Sequence, residues 1–212
     1  FDATNRELRG FRTVTVTAPS GLVTETTYHQ DGAKSGLPES VQRFEIVNAQ
    51  GARRLLDETR TLYTIDPTAP YVSLPVRMLS TDYGAPGDAP RHTRTDLAYD
   101  GFDGIHDVET ALLARDPAGI QYGNVVSRTE WGAMSAGADP QTDVVPLDTR
   151  TVSREYAVRD LAHGSASVEY MVDRVGRERL LAGDDPAASL VLRESELRYD
   201  GQTSYGPPSG RG

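Results

Sequence analysis

The sequence predicts an all-β protein built of antiparallel hairpins. Three observations point there. Apolar and β-branched residues recur with period two along most of the chain, and helical periodicity is nearly absent. The tripeptide Tyr-Asp-Gly closes such a run twice, at Tyr99-Asp100-Gly101 and Tyr199-Asp200-Gly201. Tyr suits a pleated, half-buried strand, Asp caps its own turn, and Gly supplies the positive φ that ends the strand. The formula Asp-x-x-Gly recurs at Asp116 to Gly119 and at Asp173 to Gly176, each before a strand-like run. It reads as a β-turn that starts on the carboxylate and ends on Gly.

Taken in order, residues 12–17 (Arg-Thr-Val-Thr-Val-Thr) put Val14 and Val16 on one face. Ala18-Pro19-Ser20-Gly21 is a turn signal, and residues 22–29 return with Leu22, Thr24, Thr26 and Tyr28 on one side. Residues 30–38 hold two Gly and a Pro and read as loop. Residues 41–47 and 53–63 flank Asn48-Ala49-Gln50-Gly51, a second hairpin. Residues 72–79 form a further strand, in which Pro75 demotes the middle to an edge or a bulge. Strand-like runs follow at 93–99, 125–131, 149–158, 168–172, 177–181 and 190–199. The longest polar gaps are 82–90 and 133–146, the second being the better candidate for a mobile loop. Residues 106–115 alone fit a helix face, through Val108, Leu112 and Arg115, and β-structure fits them as well. One hairpin cannot bury a core, but several side by side can. The spacing here is irregular, so the array is degenerate. No internal boundary stands out: residues 1–205 read as one β-sheet segment and 206–212 as a Gly/Pro-rich linker or tail. Because the chain opens on Phe1 partway into a motif, it reads as an excerpt of a longer protein.

Composition narrows the function classes. With 212 residues, 37% hydrophobic and 25% charged, the chain has room for one large β domain or two small ones. A net charge of −9 argues against binding duplex nucleic acid or an anionic membrane, which need a cationic face. The bland reading of that acidity, solubility, is the stronger one. There is no cysteine, hence no disulfide, thiolate metal site or Cys nucleophile. No apolar run approaches the ~20 residues of a membrane span.

No complete catalytic set emerges. The four His residues (His29, His92, His106 and His163) come without a Gly-x-Ser-x-Gly elbow, and structural or surface roles suit each. Asp100, Asp103 and Asp107 invite a calcium site, but the alternating ligand spacing with a distal Glu is missing, so the turn reading wins. Asp184-Asp185 precede Pro186 and look like a solvated loop. Trp131 could be a sugar platform, but a lone Trp ending a strand fits the core better. No catalytic residue, cofactor or metal ligand is therefore expected.

Beyond these features, the ordered strings carry a resemblance. The chain opens Phe1-Asp2, then Arg6-Glu7-Leu8-Arg9-Gly10-Phe11. It continues through Tyr122-Gly123-Asn124-Val125 to Trp131-Gly132, then Arg154-Glu155-Tyr156-Ala157, and closes on Arg198-Tyr199-Asp200-Gly201. This order resembles the tyrosine-aspartate (YD) repeats of rearrangement-hotspot (Rhs) proteins. It is most similar to the B component of toxin complexes and related SpvB-type proteins. Ala3 and Leu8 depart from that pattern, where Gly and Phe are usual. The likeness runs over nearly the whole chain; a single YD unit is weakly specific, and the order together with Arg9-Gly10-Phe11 is more so.

The resemblance implies a structural role. The repeats of that family form a β-sheet strip that coils into a hollow shell, shared between B and C components. The shell holds a toxic C-terminal polypeptide until a pore-forming A component receives it. The implied partners are the rest of the same polypeptide, the C component with its enclosed toxin, and the A component through other regions. The implied location is secreted or cell-surface associated. Arg9-Gly10-Phe11 is then a structural joint, with Gly10 allowing a bend or a close approach and Phe11 anchoring a packed layer. Asp116-Pro117 is similar to part of the Rhs self-cleavage element, whose other motifs are missing here. Two other classes compete: a carbohydrate- or surface-binding β module, needing exposed aromatics clustered on one face, and an aspartyl autoprotease, needing an aspartate pair in an enclosed pocket. Ten Tyr, four Phe and one Trp make the first conceivable without supporting it. An excised strip is also expected to expose unpaired strand edges and to associate more as salt rises.

Overall fold

The computed structural model describes residues 10–66, 72–99, 124–135, 148–156, 159–160, 170–171, 174–185 and 188–198. These residues form strands and turns and no helix. The strands are β1 (Thr13–Thr17), β2 (Leu22–Tyr28), β3 (Pro38–Ile46), β4 (Arg53–Asp66), β5 (Val72–Asp82) and β6 (Arg91–Tyr99). They continue with β7 (Val125–Met134), β8 (Arg150–Tyr156), β9 (Arg159–Asp160), β10 (Tyr170–Met171), β11 (Val175–Ala182) and β12 (Leu190–Glu196). Ten of them follow one another in one open sheet, β1-β2-β3-β4-β5-β6-β7-β8-β11-β12, while β9 and β10 pair separately. The described pairings are all antiparallel. The expected all-β class is thus present. Of the run at 168–172 the described residues, Tyr170–Met171, are strand, and the ambiguous run 106–115 lies outside the described residues.

The turns form where the sequence places them. Between β1 and β2, the Ala18 amide donates to the Leu22 carbonyl (2.8 Å) and the Gly21 amide to the Ala18 carbonyl (2.9 Å). Between β3 and β4, the Gly51 amide donates to the Asn48 carbonyl (3.1 Å), and the Ala52 amide to Asn48 Oδ1 (2.9 Å). Gly21 and Gly51 sit at φ of 84° and 80°, a region that a side chain would strain. Pro38, expected in the loop, opens β3 instead.

Two irregularities explain residues that break the pattern. In β5, Arg77 faces Leu62 and Pro75 faces Tyr63, which leaves Val76 as the extra residue of a bulge. Pro75 has no amide to give to a ladder, and β5 lies between β4 and β6, so the bulge is the solution the fold uses. In β11, Val175 faces Tyr156 and Arg177 faces Glu155, so Gly176 is the bulged residue. The expected turn ending at Gly176 is therefore corrected. Gly176 lies buried inside a strand, and its carbonyl accepts the Leu197 amide at 2.8 Å. A residue without Cβ suits a buried bulge of this kind.

The described residues divide into two compact units. The first holds β1 to β5 and the start of β6, with the end of β7, and buries Val23, Val76, Leu79 and Met134. The second holds the end of β6, most of β7, and β8, β11 and β12, and buries Tyr99 and Leu181. In both units threonines share the interior: Thr64 in the first, and Thr129, Thr149 and Thr151 in the second. Most other strand residues are half-buried, whereas β1 and β12 are exposed along their full length.

Candidate functional site

The residues singled out by motif do not assemble into a site among the described residues. Gly10 has φ of 70°, and an added Cβ would meet nothing within 4 Å, so it bends the chain ahead of β1 without a close neighbour. Phe11 is 81% exposed. Its expected role as a buried anchor is corrected, because it precedes the outermost strand, where no described strand lies beyond it. Tyr99 is the last residue of β6 and is buried, as a strand-closing Tyr should be. Trp131 lies in β7, half-buried, with its indole N–H donating to Asp96 Oδ2 at 2.9 Å. Its apolar body is packed and its polar edge satisfied, which ties it to the sheet. Arg9, Asp100, Gly101, Asp116, Gly119, Asp173, Tyr199, Asp200 and Gly201 lie outside the described residues, as do His106, His163, Asp103 and Asp107.

The two described histidines serve packing. His29 stands edge-on to Tyr63, with ring centroids 5.6 Å apart. Burial, helped by the Lys34 charge, lowers its pKa, while burial raises that of the Tyr63 phenol. The Tyr63 hydroxyl donates to the Pro38 carbonyl at 3.0 Å, closing the loop after β2 against β4. His92 Nδ1 bonds Thr81 Oγ1 at 3.0 Å. Among the described residues no three His, Asp or Glu side chains are grouped to hold a metal ion.

What the second unit does bring together is a ladder of charges across β8, β11 and β12. Arg177 reaches Glu196 (3.0 Å), Glu155 (3.5 Å) and Glu194 (3.9 Å). Arg179 reaches Glu194 (2.6 Å) and Glu155 (3.4 Å). On the opposite face Glu178 pairs with Arg154 (3.0 Å) and Arg193 (3.5 Å). The Glu196 bond raises the Arg177 pKa, and the Arg179 bond lowers that of Glu194. The sequence signal was available in Arg177-Glu178-Arg179 and Arg193-Glu194-Ser195-Glu196: alternation of sign at period two sends opposite charges to opposite faces, where a neighbouring strand answers each. Below it lies a hydroxyl relay. Thr151 Oγ1 donates to the Gly183 carbonyl at 2.7 Å, so the 3.0 Å contact with Thr129 is filled by the Thr129 proton.

The described surface also carries grooves. The first unit carries one of about 470 Å³ walled by Arg43, Asp57, Ser80, Asp82, Arg91 and Thr93. Asp57 directly faces Asp82 across β4 and β5, and Arg43 Nε relieves that like-charge pair by bonding both Asp57 oxygens at 2.8 Å. The same bond raises the Arg43 pKa. The second unit carries a groove of about 630 Å³ near Tyr156, whose hydroxyl donates to the Val125 carbonyl at 2.9 Å. The lining of the first groove includes no aromatic platform for a sugar; Arg43 and Asp57 form an ion pair in it, as Arg154 and Glu178 do in the second. No described helix is long and apolar enough to cross a membrane. No protein-family profile, curated protein or solved structure matches the chain.

Proposed function

We propose that this chain is a structural segment of a β-sheet shell of the Rhs or toxin-complex type, a wall that encloses and delivers a toxic polypeptide and does no chemistry of its own. The observation that supports it most is the sheet: nearly every strand pairs with its neighbours in sequence, and both outer strands are exposed along their length. Such a strip can be extended at either end by further hairpins of the same polypeptide. A wall must also ignore its cargo. Surfaces on which Arg, Glu, Asp and Thr groups are already paired within the sheet suit that need, because a satisfied polar group gains little from a passing chain.

In this reading the partners are the rest of the polypeptide, a C component with its enclosed toxin, and a pore-forming A component reached through other regions. The complex would be secreted or cell-surface associated. The test is protease protection of the C-terminal region in the full parent protein. The expected result is resistance that is lost when Pro replaces Thr59 in β4 and breaks the wall. Equal sensitivity of both forms would contradict the shell role.

A further inference from the structure

The first outer strand is its own mirror partner in sequence. β1 reads Thr13-Val14-Thr15-Val16-Thr17, a palindrome centred on Thr15, with no charge inside it. We infer that two copies of this chain join through β1, edge to edge and antiparallel, around a two-fold axis at Thr15. This does not rest on the shell reading, in which a further hairpin of the same polypeptide would take this edge instead; it concerns the edge that β1 presents among the described residues.

The backbone sets the register. Arg12 accepts the Tyr28 amide through its carbonyl, and the Ala18 amide donates to Leu22, so the even-numbered residues of β1 turn their amides and carbonyls toward β2. Polar groups alternate sides along a strand, so those of Thr13, Thr15 and Thr17 point outward. Among the described residues nothing pairs with them, since β1 ends the strand order. A second copy in antiparallel register about Thr15 places Thr15 opposite Thr15 and Thr13 opposite Thr17, all hydrogen-bonded pairs. Each outward N–H then meets an outward C=O.

The side chains fit the same register. A two-fold axis perpendicular to the sheet keeps each face on its own side, so Val14 falls opposite Val16 of the partner copy and Val16 opposite its Val14. These are the closer, non-hydrogen-bonded pairs, about 4.5 Å between Cα atoms. They cover valines that are 37% and 60% exposed in the single chain. The other face becomes a threonine ladder. Natural edges are blunted by charge, and β12, the opposite outer strand, carries Arg193, Glu194 and Glu196. A β12 pair about Glu194 would set Glu194 against Glu194. β1 has no such guard, so the symmetric contact belongs there. Five residues make a small interface, so affinity on the order of micromolar or weaker is expected. The −9 charge on each copy opposes contact, so association strengthens as salt screens it.

The chain has no cysteine, which makes single thiols clean probes. Val14→Cys and Val16→Cys chains are prepared separately, then oxidised mildly alone and as an equal mixture. The expected result is a disulfide dimer in the mixture forming at least about tenfold faster than in either chain alone, because only position 14 against 16 brings the Cα atoms within disulfide reach. Sedimentation of the unmodified chain should show a concentration-dependent species of twice its 23.0 kDa mass, favoured by salt. Val14→Lys with Val16→Lys should weaken it by at least about tenfold while leaving the β spectrum unchanged. A chain that stays monomeric at every concentration and salt level overturns the inference. So does cross-linking no faster in the mixture, or association that survives the lysines, which would place the contact at β12 or elsewhere.

Discussion

Stability at single residues follows from burial, as a buried and an exposed side chain illustrate. Leu181, near the end of β11, is 1% exposed, so Leu181→Ala should cost about 2–5 kcal/mol, read from the urea midpoint of Trp131 fluorescence. Phe11 is 81% exposed, so Phe11→Ala should shift the same midpoint by less than about 0.5 kcal/mol. Thr151 has no exposed surface, and its hydroxyl links Thr129 to the Gly183 carbonyl. Thr151→Val keeps the shape and strands both partners, so a loss of about 1–3 kcal/mol is expected, and Thr151→Ser should recover most of it. Burial is the main cause of a lowered His29 pKa. Its folded pKa lies below the unfolded value, so its contribution is complete above about pH 6.5 and declines as pH falls from there toward the folded pKa. The pH profile of the midpoint should flatten over that window in His29→Gln.

Among the elements, β12 is held differently from the interior strands. It is exposed throughout, including Leu190 at 70%, and its ties to β11 include the backbone ladder and the pairs Arg177–Glu196, Arg177–Glu194, Arg179–Glu194 and Arg193–Glu178. The Glu194 pKa is lowered, chiefly by the Arg179 hydrogen bond, so its contribution is present above the unfolded carboxylate value, about 4.3, and is lost as pH falls through the lower folded value. Amide exchange over residues 190–196 should therefore accelerate below about pH 4 and in high salt, with β4 much less affected. The hairpins themselves were legible in the sequence: Ala18-Pro19-Ser20-Gly21 and Asn48-Ala49-Gln50-Gly51 are local turn chemistry, and local chemistry is what a linear string records. Pro75 announced a bulge or an edge because a missing amide must be accommodated somewhere. Gly176 misled for the converse reason. Asp-x-x-Gly suits a turn, yet the choice between turn and bulge depends on pairing with β8, which local spacing does not encode. Phe11 misled because an aromatic beside a strand signals burial only when another layer covers that strand.

Among the described residues, strands succeed one another in a sheet whose outer strands, β1 and β12, pair on one side. The charged ladder and the hydroxyl relay join residues from strands well apart in sequence, which is why the motifs showed the strands while the clusters became visible only in register. Amide hydrogen exchange, resolved residue by residue on the dilute chain, tests that arrangement most directly. An interior strand bonds on both sides, so consecutive amides should be protected along β4 (Arg53–Asp66) and β11 (Val175–Ala182), bulges aside. An edge strand bonds on one side, so in β1 the Val14 and Val16 amides should be slowed while those of Thr13, Thr15 and Thr17 exchange freely. Raising the concentration should then slow those three as β1 pairs. Alternate-only protection in β4 and β11, or full protection of Thr13, Thr15 and Thr17 at high dilution, would contradict an open antiparallel sheet with β1 at its edge.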